Sequence, residues 1–347
     1  MDFIFRFFFL LFLSSSLFSS PFFYVSDDVN AFVVKFDAAT NTQVGSPIMF
    51  NAPASMVVTP NGKYLYVADT IDMGVYVVDT ATDMMLPGLI NLMTLPQGMA
   101  IRPDGTRLYT ANADGTVSVI DTMTNMVVNT ITGGTTFKAI GITPDGSRAY
   151  VTDTSLEEVF VIDLAANAVI GSPISVGPSP TNLAITPDGK QVYVTSQGSN
   201  SASVISTTTN IASPINLGEH SSFVTVSLDG NQVYLFGVGN VTNAFIHVFD
   251  TATNMPLTTI TTPQTPGPLT TSPYGTSIYM CTGFNPDVFL SVINSSTNMI
   301  VPPSFPAANF FGEVVSIAFI PPEVIPPPIP APSSFSKNCS LFQKTRL

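Results

Sequence analysis

Residues 97–132 read QGMAIRPDGTRLYTANADGTVSVIDTMTNMVVNTIT, and four short strand-forming segments can be marked within them. Met99 to Arg102 is brief and mostly apolar, as an inner strand buried on both faces should be. Pro103-Asp104-Gly105 follows as a tight turn: proline presets φ, aspartate bonds nearby backbone, and glycine accepts positive φ. Arg107 to Ala111, centred on Tyr109, reads as a second strand, and Thr116 to Asp121 alternates strictly as a third. Thr122 to Asn125 closes another turn, where asparagine tolerates the left-handed conformation, and Met126 to Ile131 makes the fourth strand. Four antiparallel strands in one such unit make a propeller blade.

The unit recurs. Glycine and tyrosine four apart appear as Gly62/Tyr66, Gly105/Tyr109, Gly146/Tyr150, Gly189/Tyr193, Gly230/Tyr234 and Gly275/Tyr279, spaced by 43, 41, 43, 41 and 45 residues. A period of ~40–45 residues is that of propeller blades. Third strands end in Asp-x-x-Thr-Asn turns or close variants, at 37–41, 79–83, 121–125, 163–167, 206–210, 250–254 and 294–298. Seven second strands, the first centred on Tyr24, accompany these seven turns, but only six inner strands precede them in order. The missing one is Val315 to Ile320, VSIAFI, near the other end of the chain. The count predicts an all-β, seven-bladed propeller over 22–322, closed by residues 315–320 pairing with the strand around Tyr24. Such closure removes two exposed sheet edges.

Composition agrees and narrows the function classes. Of 347 residues 45% are hydrophobic and only 10% charged, with a net charge of −12. Residues 24–320 hold 21 acidic and 7 basic side chains, a balance that repels nucleic acid and anionic membrane surfaces. Two cysteines, Cys281 and Cys339, give no disulfide framework, and two histidines, His220 and His247, are too few for a multi-histidine metal site. No cofactor or metal is expected. Residues 1–20 carry Arg6, the apolar run Phe7 to Leu13 and then serines, which reads as a signal peptide and predicts export. The run is too short for a membrane span, which needs ~20 residues. Residues 323–347 are proline-rich and read as a linker with a disordered tail.

The stretches YLYVADT (64–70), VSVIDTMTN (117–125), YVTDT (150–154), LAITPDGKQVYVTS (183–196) and IHVFDTATN (246–254) resemble the YVTN-type β-propeller repeat. The resemblance covers about residues 22–322. It implies kinship with exported bacterial and archaeal surface-layer-like propellers, and more distantly with seven-bladed lactonases. Leu228 stands for the turn proline, and Ser206 and Asn294 for the turn aspartate, in the later copies. No catalytic motif of those enzymes falls on numbered positions of this chain.

Antiparallel order puts the second-to-third and fourth-to-first loops on one face of the disc. Three residues beyond each tyrosine stand Asp27, Asp69, Asn112, Asp153, Ser196, Gly237 and Thr282, so acids cluster on the first four blades. Asp28, Asp72, Asp114, Glu157 and Glu158 share those loops, and together they form a candidate acidic crescent for a basic partner or a cation. Gln97, Phe137, Lys138, Asn182, His220 and Phe311 are expected at the channel mouth, with Glu219 beside His220 as a candidate acid–base pair. The leading reading is an exported, monomeric binding propeller without catalysis, its partner a protein or glycan. A lactonase-like hydrolase in the channel and a structural surface-layer protein are the alternatives.

Overall fold

The computed structural model describes residues 21–240, 243–262, 266–282, 289–306 and 314–322. The expected signal peptide, the proline-rich tail and Phe311 lie outside them. Seven antiparallel sheets succeed one another along the chain, and no helix occurs among the described residues. The third blade holds Pro96–Ile101, Arg107–Asn112, Thr116–Asp121 and Met126–Thr132, within a residue or three of the boundaries expected from sequence. In the second blade the outer strand is split into Met84–Met85 and Ile90–Asn91, because Pro87-Gly88 interrupts the pairing.

The ring closes as the count required. Val314–Phe319 joins Phe22–Asp27, with Tyr24 opposite Ala318 and Val25 opposite Ile317. The Ile320 amide continues the ladder to the Phe22 carbonyl at 2.9 Å. The first blade therefore takes its inner strand from the far end of the chain, in the order Val314–Phe319, Phe22–Asp27, Phe32–Asp37, Thr42–Met49.

Burial follows position in the blade. Second strands such as Tyr64–Asp69, Arg107–Asn112 and Arg148–Asp153 are buried at every residue but the first, since each is flanked by strands and by neighbouring blades. Inner strands such as Pro96–Ile101, Phe137–Ile142 and Pro180–Ile185 bury only one or two of their six residues instead of being buried on both faces, because their free edges line the central channel. Outer strands such as Met126–Thr132 are largely exposed. The core is thus a series of apolar layers between blades, for example Tyr109, Val119, Ile140, Val151 and Phe160 between the third and fourth.

Two polar devices lock the face opposite the candidate site. In each strand-connecting turn of the Asp-x-x-Thr-Asn type the aspartate accepts backbone N–H bonds, as Asp121 does from Met123 and Thr124, both at 3.0 Å. The last turn residue adopts positive φ in all seven copies, between 50° and 56°. In six of the seven copies that residue also receives the buried tyrosine of the preceding blade. Tyr66 donates to Asn125 at 2.8 Å, Tyr150 to Asn210 at 3.0 Å and Tyr193 to Asn254 at 2.6 Å. The tyrosines pack between blades as their spacing suggested, and their hydroxyls add a specific polar tie that the spacing alone had not named.

Candidate functional site

The central channel is a cavity of about 450 Å³ to which the inner strands of all seven blades contribute, including Ala54, Gln97, Lys138, Asn182, Ser222, Pro268 and Ser316. Inner strands enter it through irregular registers: pairing shifts between Phe137 and Ile140, and between Pro180 and Asn182. Bulges of this kind re-aim side chains and free backbone groups. The amide of Ala139, released by its bulge, donates to Thr152 Oγ1 at 2.9 Å. The result turns Lys138 and Asn182 to the channel wall.

Gln97 and Lys138 sit on adjacent blades and meet there, the Lys138 ammonium donating to Gln97 Oε1 at 2.7 Å. The two strands approach closely at Gly98, where a Cβ would stand 2.6 Å from the Lys138 carbonyl oxygen. Lys138 is open to channel water, yet the protein around it removes part of its hydration, and this lowers its pKa from the ordinary lysine range. Among the described residues it has no carboxylate partner, and no Asp or Glu lines the channel. Thr181, Asn182, Gln197 and Ser222 complete a polar, uncharged wall, with Gln197 Nε2 donating to Ser222 Oγ at 3.3 Å.

The acids three residues beyond the tyrosines are placed differently. Asp27, Asp69, Asn112 and Asp153 are all fully buried. Asp153 accepts four backbone amides: Thr135 and Thr136 from the loop entering the blade, at 2.6 and 3.1 Å, and Ser155 and Leu156 from its own loop, both at 3.0 Å. Asp69 repeats this with Asn51, Ala52, Ile71 and Asp72. Asp27 takes the Asn30 amide and side chain, both at 2.8 Å, and Asn112 bonds Thr110, Thr116 and Ser118. These side chains brace the loops of the channel face from beneath. The outer acids are spread over their own loops: Asp114 caps Thr116, Asp72 holds Asn51 and Tyr76, and Glu157 is exposed at positive φ. No three Asp, Glu, His or Cys side chains converge on a metal-sized site among the described residues.

The expected pairing of His220 with Glu219 is corrected. Glu219 Oε1 lies 2.7 Å from His247 Nε2, whose other ring nitrogen is 3.2 Å from Thr259 Oγ1. The reason is a missing side chain: the position held by aspartate in three other blades is Gly237, and the Glu219 side chain fills that space. His220 is left exposed at the start of His220–Val226 and does not line the channel cavity. Phe137 is also absent from the mouth; it is buried 5.3 Å from the Phe160 ring. His247 faces a larger groove, about 530 Å³, between the fifth and sixth blades on the outer wall. Among the described residues, the one ionisable side chain in that groove, His247, is already paired with Glu219, whereas Lys138 in the channel has no charged partner and all seven blades converge there, so the channel is the better candidate site.

The seven-sheet fold has counterparts among known proteins. The chain is similar to YncE of Escherichia coli. That uncharacterized protein is 30% identical over 151 residues, which are 39% of this chain and 43% of YncE. The Salmonella typhi YncE is 29% identical over 133 residues, 37% of each chain. The match thus spans less than half the length of these curated relatives. No family model matches the chain. Among solved structures, a functionally unknown protein of Desulfotomaculum acetoxidans DSM 771 superposes with a TM-score of 0.74 at 16% identity, over 87% of this chain and 100% of that one. Dihydro-heme d1 dehydrogenase NirN, solved with DHE, gives 0.62 at 14% identity over 86% and 75% of the two chains. These likenesses establish the propeller fold, which hosts many unrelated functions.

Proposed function

We propose that this chain is an exported, monomeric YVTN-type propeller that binds a ligand, without catalysis, at the mouth of its central channel. The observation that carries the reading is the channel itself. Its volume of about 450 Å³ lies in the range of small-molecule sites, ~300–1,000 Å³. The polar groups of its wall are amides, hydroxyls and one lysine, set among apolar side chains such as Met99, Leu183 and Phe223, whereas a general acid–base mechanism needs a positioned proton acceptor within hydrogen-bond reach of the substrate. Glu219 and His247, which make such a pair, bond one another away from the channel wall. Asp27, Asp69, Asn112 and Asp153 serve this reading as supports that fix the loops around the mouth.

Thermal-shift screening of the full chain against small polar metabolites and oligosaccharides tests the proposal. A ligand that stabilises the wild type should lose its effect in Ala54→Phe, which fills the channel from its wall. A ligand bound equally by that variant overturns the channel location, and turnover of a lactone by the purified chain overturns the non-catalytic reading. Export is tested by fractionating cells that express the tagged full chain; recovery in the cytosol alone contradicts it.

A further inference from the structure

Resting on the channel-binding reading, we infer that the site takes a small, singly charged polyhydroxy acid of the sugar-acid class, its carboxylate held by Lys138 and its hydroxyls by Gln97, Thr181, Asn182 and Ser222.

Lys138 follows Phe137, which stands opposite Asp153 at the head of its inner strand. The corresponding residues in neighbouring blades are Ala54, Gln97, Thr181 and Ser222, after Pro53, Pro96, Pro180 and Ser221 in the same register. One long cation therefore projects from a ring position otherwise given to short or neutral side chains. Lysine on a protein surface ordinarily extends its head into bulk water. Here it lies along the channel wall, open to channel water and bonded once to a neutral amide oxygen. A three-donor ammonium with one such acceptor is a site for an anion.

Charge limits the anion. Lys138 is the one ionisable group on the channel wall among the described residues. Around it the propeller region carries 21 acidic residues against 7 basic. A first negative charge is met by the ammonium, while each further one meets only neutral wall in a negative field. Phosphate esters and dicarboxylates are disfavoured on that ground. The remaining wall mixes amide and hydroxyl groups with apolar side chains such as Met99, Leu183 and Phe223; Thr181 and Asn182 stand on the blade after Lys138 and Ser222 on the next. Such groups recognise ligand hydroxyls and discriminate strongly against analogues that lack them. A carboxylate bearing several hydroxyls satisfies both halves of the wall.

Hydration supports the same assignment. Burial lowers the Lys138 pKa, and a bound carboxylate opposes that shift by favouring the ammonium. Binding above neutral pH should therefore draw a proton into the protein, and affinity should fall as pH rises toward the alkaline range.

The test is isothermal titration of the full chain with D-glucuronate, D-glucose and inorganic phosphate at low ionic strength, in two buffers of different ionisation enthalpy. The expected result is binding of glucuronate with proton uptake at pH 9. A charged hydrogen bond is worth roughly 1.5–3 kcal/mol, so glucose should bind at least about tenfold more weakly. Lys138→Met should abolish that preference and the proton uptake. Lys138→Arg should retain glucuronate binding without uptake. Equal affinity for glucose and glucuronate in the wild type overturns the acid assignment, as does tighter binding of phosphate, and neither depends on a variant folding. If the sugars fail but another small molecule binds and is blocked by Ala54→Phe, the ligand class is wrong and the channel reading stands. If no small molecule is blocked by Ala54→Phe, both fall.

Discussion

Lys35 of the first blade holds its ammonium 3.1 Å from Asp83 of the second, at the position where five of the other six blades present asparagine to the preceding tyrosine. The pair replaces a neutral tie by an ionic one at an interface between blades. Lys35 is 9% exposed and Asp83 27%, and the ammonium also donates to the Thr80 carbonyl at 2.7 Å. The rings of Phe22 and Tyr24 lie 4.8 and 5.6 Å from it. Lysine and aspartate thus occur here as a matched exchange for a neutral pair.

That exchange predicts a non-additive mutant cycle. Lys35→Met alone leaves the Asp83 carboxylate facing Tyr24 without a counter-charge, and Asp83→Asn alone leaves a buried ammonium. Each should destabilise by about 3 kcal/mol, the scale of breaking a buried pair. The double variant restores the tyrosine–asparagine bond of the other blades and should recover most of the loss. Urea unfolding of the four proteins measures this, and strict additivity would refute the pairing.

Asp153 supplies a second prediction. Its carboxylate is fully buried and satisfies four backbone amides from two loops. Asp153→Ala strands those donors, each unsatisfied buried group costing ~1–3 kcal/mol unless water enters. The expected outcome is a loss of at least ~2 kcal/mol, with faster amide exchange at Thr135, Thr136, Ser155 and Leu156. Unchanged exchange at those amides would contradict the bracing role.

The turns on the opposite face govern acid stability. Asp145 is held down to about 2 by the Thr143 hydroxyl, then by the amide and hydroxyl of Ser147. Asp188 and Asp229 are lowered in the same way, first by Thr186 and Ser227. A carboxylate depressed in the folded state adds stability that is complete above its unfolded pKa of ~3.9 and is lost as pH falls through the folded value. Urea midpoints should therefore hold steady from pH 6 to pH 5 and drop between pH 4 and pH 2. Thr143→Val, which removes the main cause at Asp145, should flatten that drop; an unaltered slope would count against the assignment.

How much of this was legible depends on how local each signal is. The blade count came from Gly62/Tyr66 and its repeats, because tight turns and strand starts are written in adjacent residues. Closure followed from counting, since Tyr24 lacks a preceding turn. Gln97, Lys138 and Asn182 were placed near the channel because they follow the fourth-to-first loops. The partner of Glu219 was hidden: it lies 28 residues away, and its place was vacated by a glycine, which leaves no trace in a pattern of side chains. The tyrosine–asparagine tie left a readable signal, an almost constant offset of 59 residues in the first two pairs, between Tyr24 and Asp83 and between Tyr66 and Asn125. The burial of Asp69 and Asp153 was not readable, because a strand-end acid looks alike whether it meets water or amides.

The seam between the last blade and the first departs from the other six, and this makes opening of the ring measurable. Tyr279 bonds the Ala38 carbonyl at 3.2 Å, and the buried Asn41 Oδ1 has no hydrogen-bond partner. Aromatic packing compensates: Phe23, Tyr279 and Phe319 lie within 5.0–5.2 Å of one another. Cys281 is sealed in that cluster with Val25, Leu290 and Ile317, 3% exposed, and burial pushes its thiol pKa up. In a Cys339→Ser background the native thiol should therefore resist alkylation, reacting only at the rate of global or seam opening. A chain ending after Gly312 loses Ile317 and Phe319 and exposes the edge of Phe22–Asp27. Its Cys281 should alkylate at least about a hundredfold faster, as loss of ~2.7 kcal/mol of local protection implies. Protection equal to that of the full-length protein would mean that the ring does not depend on its terminal strand.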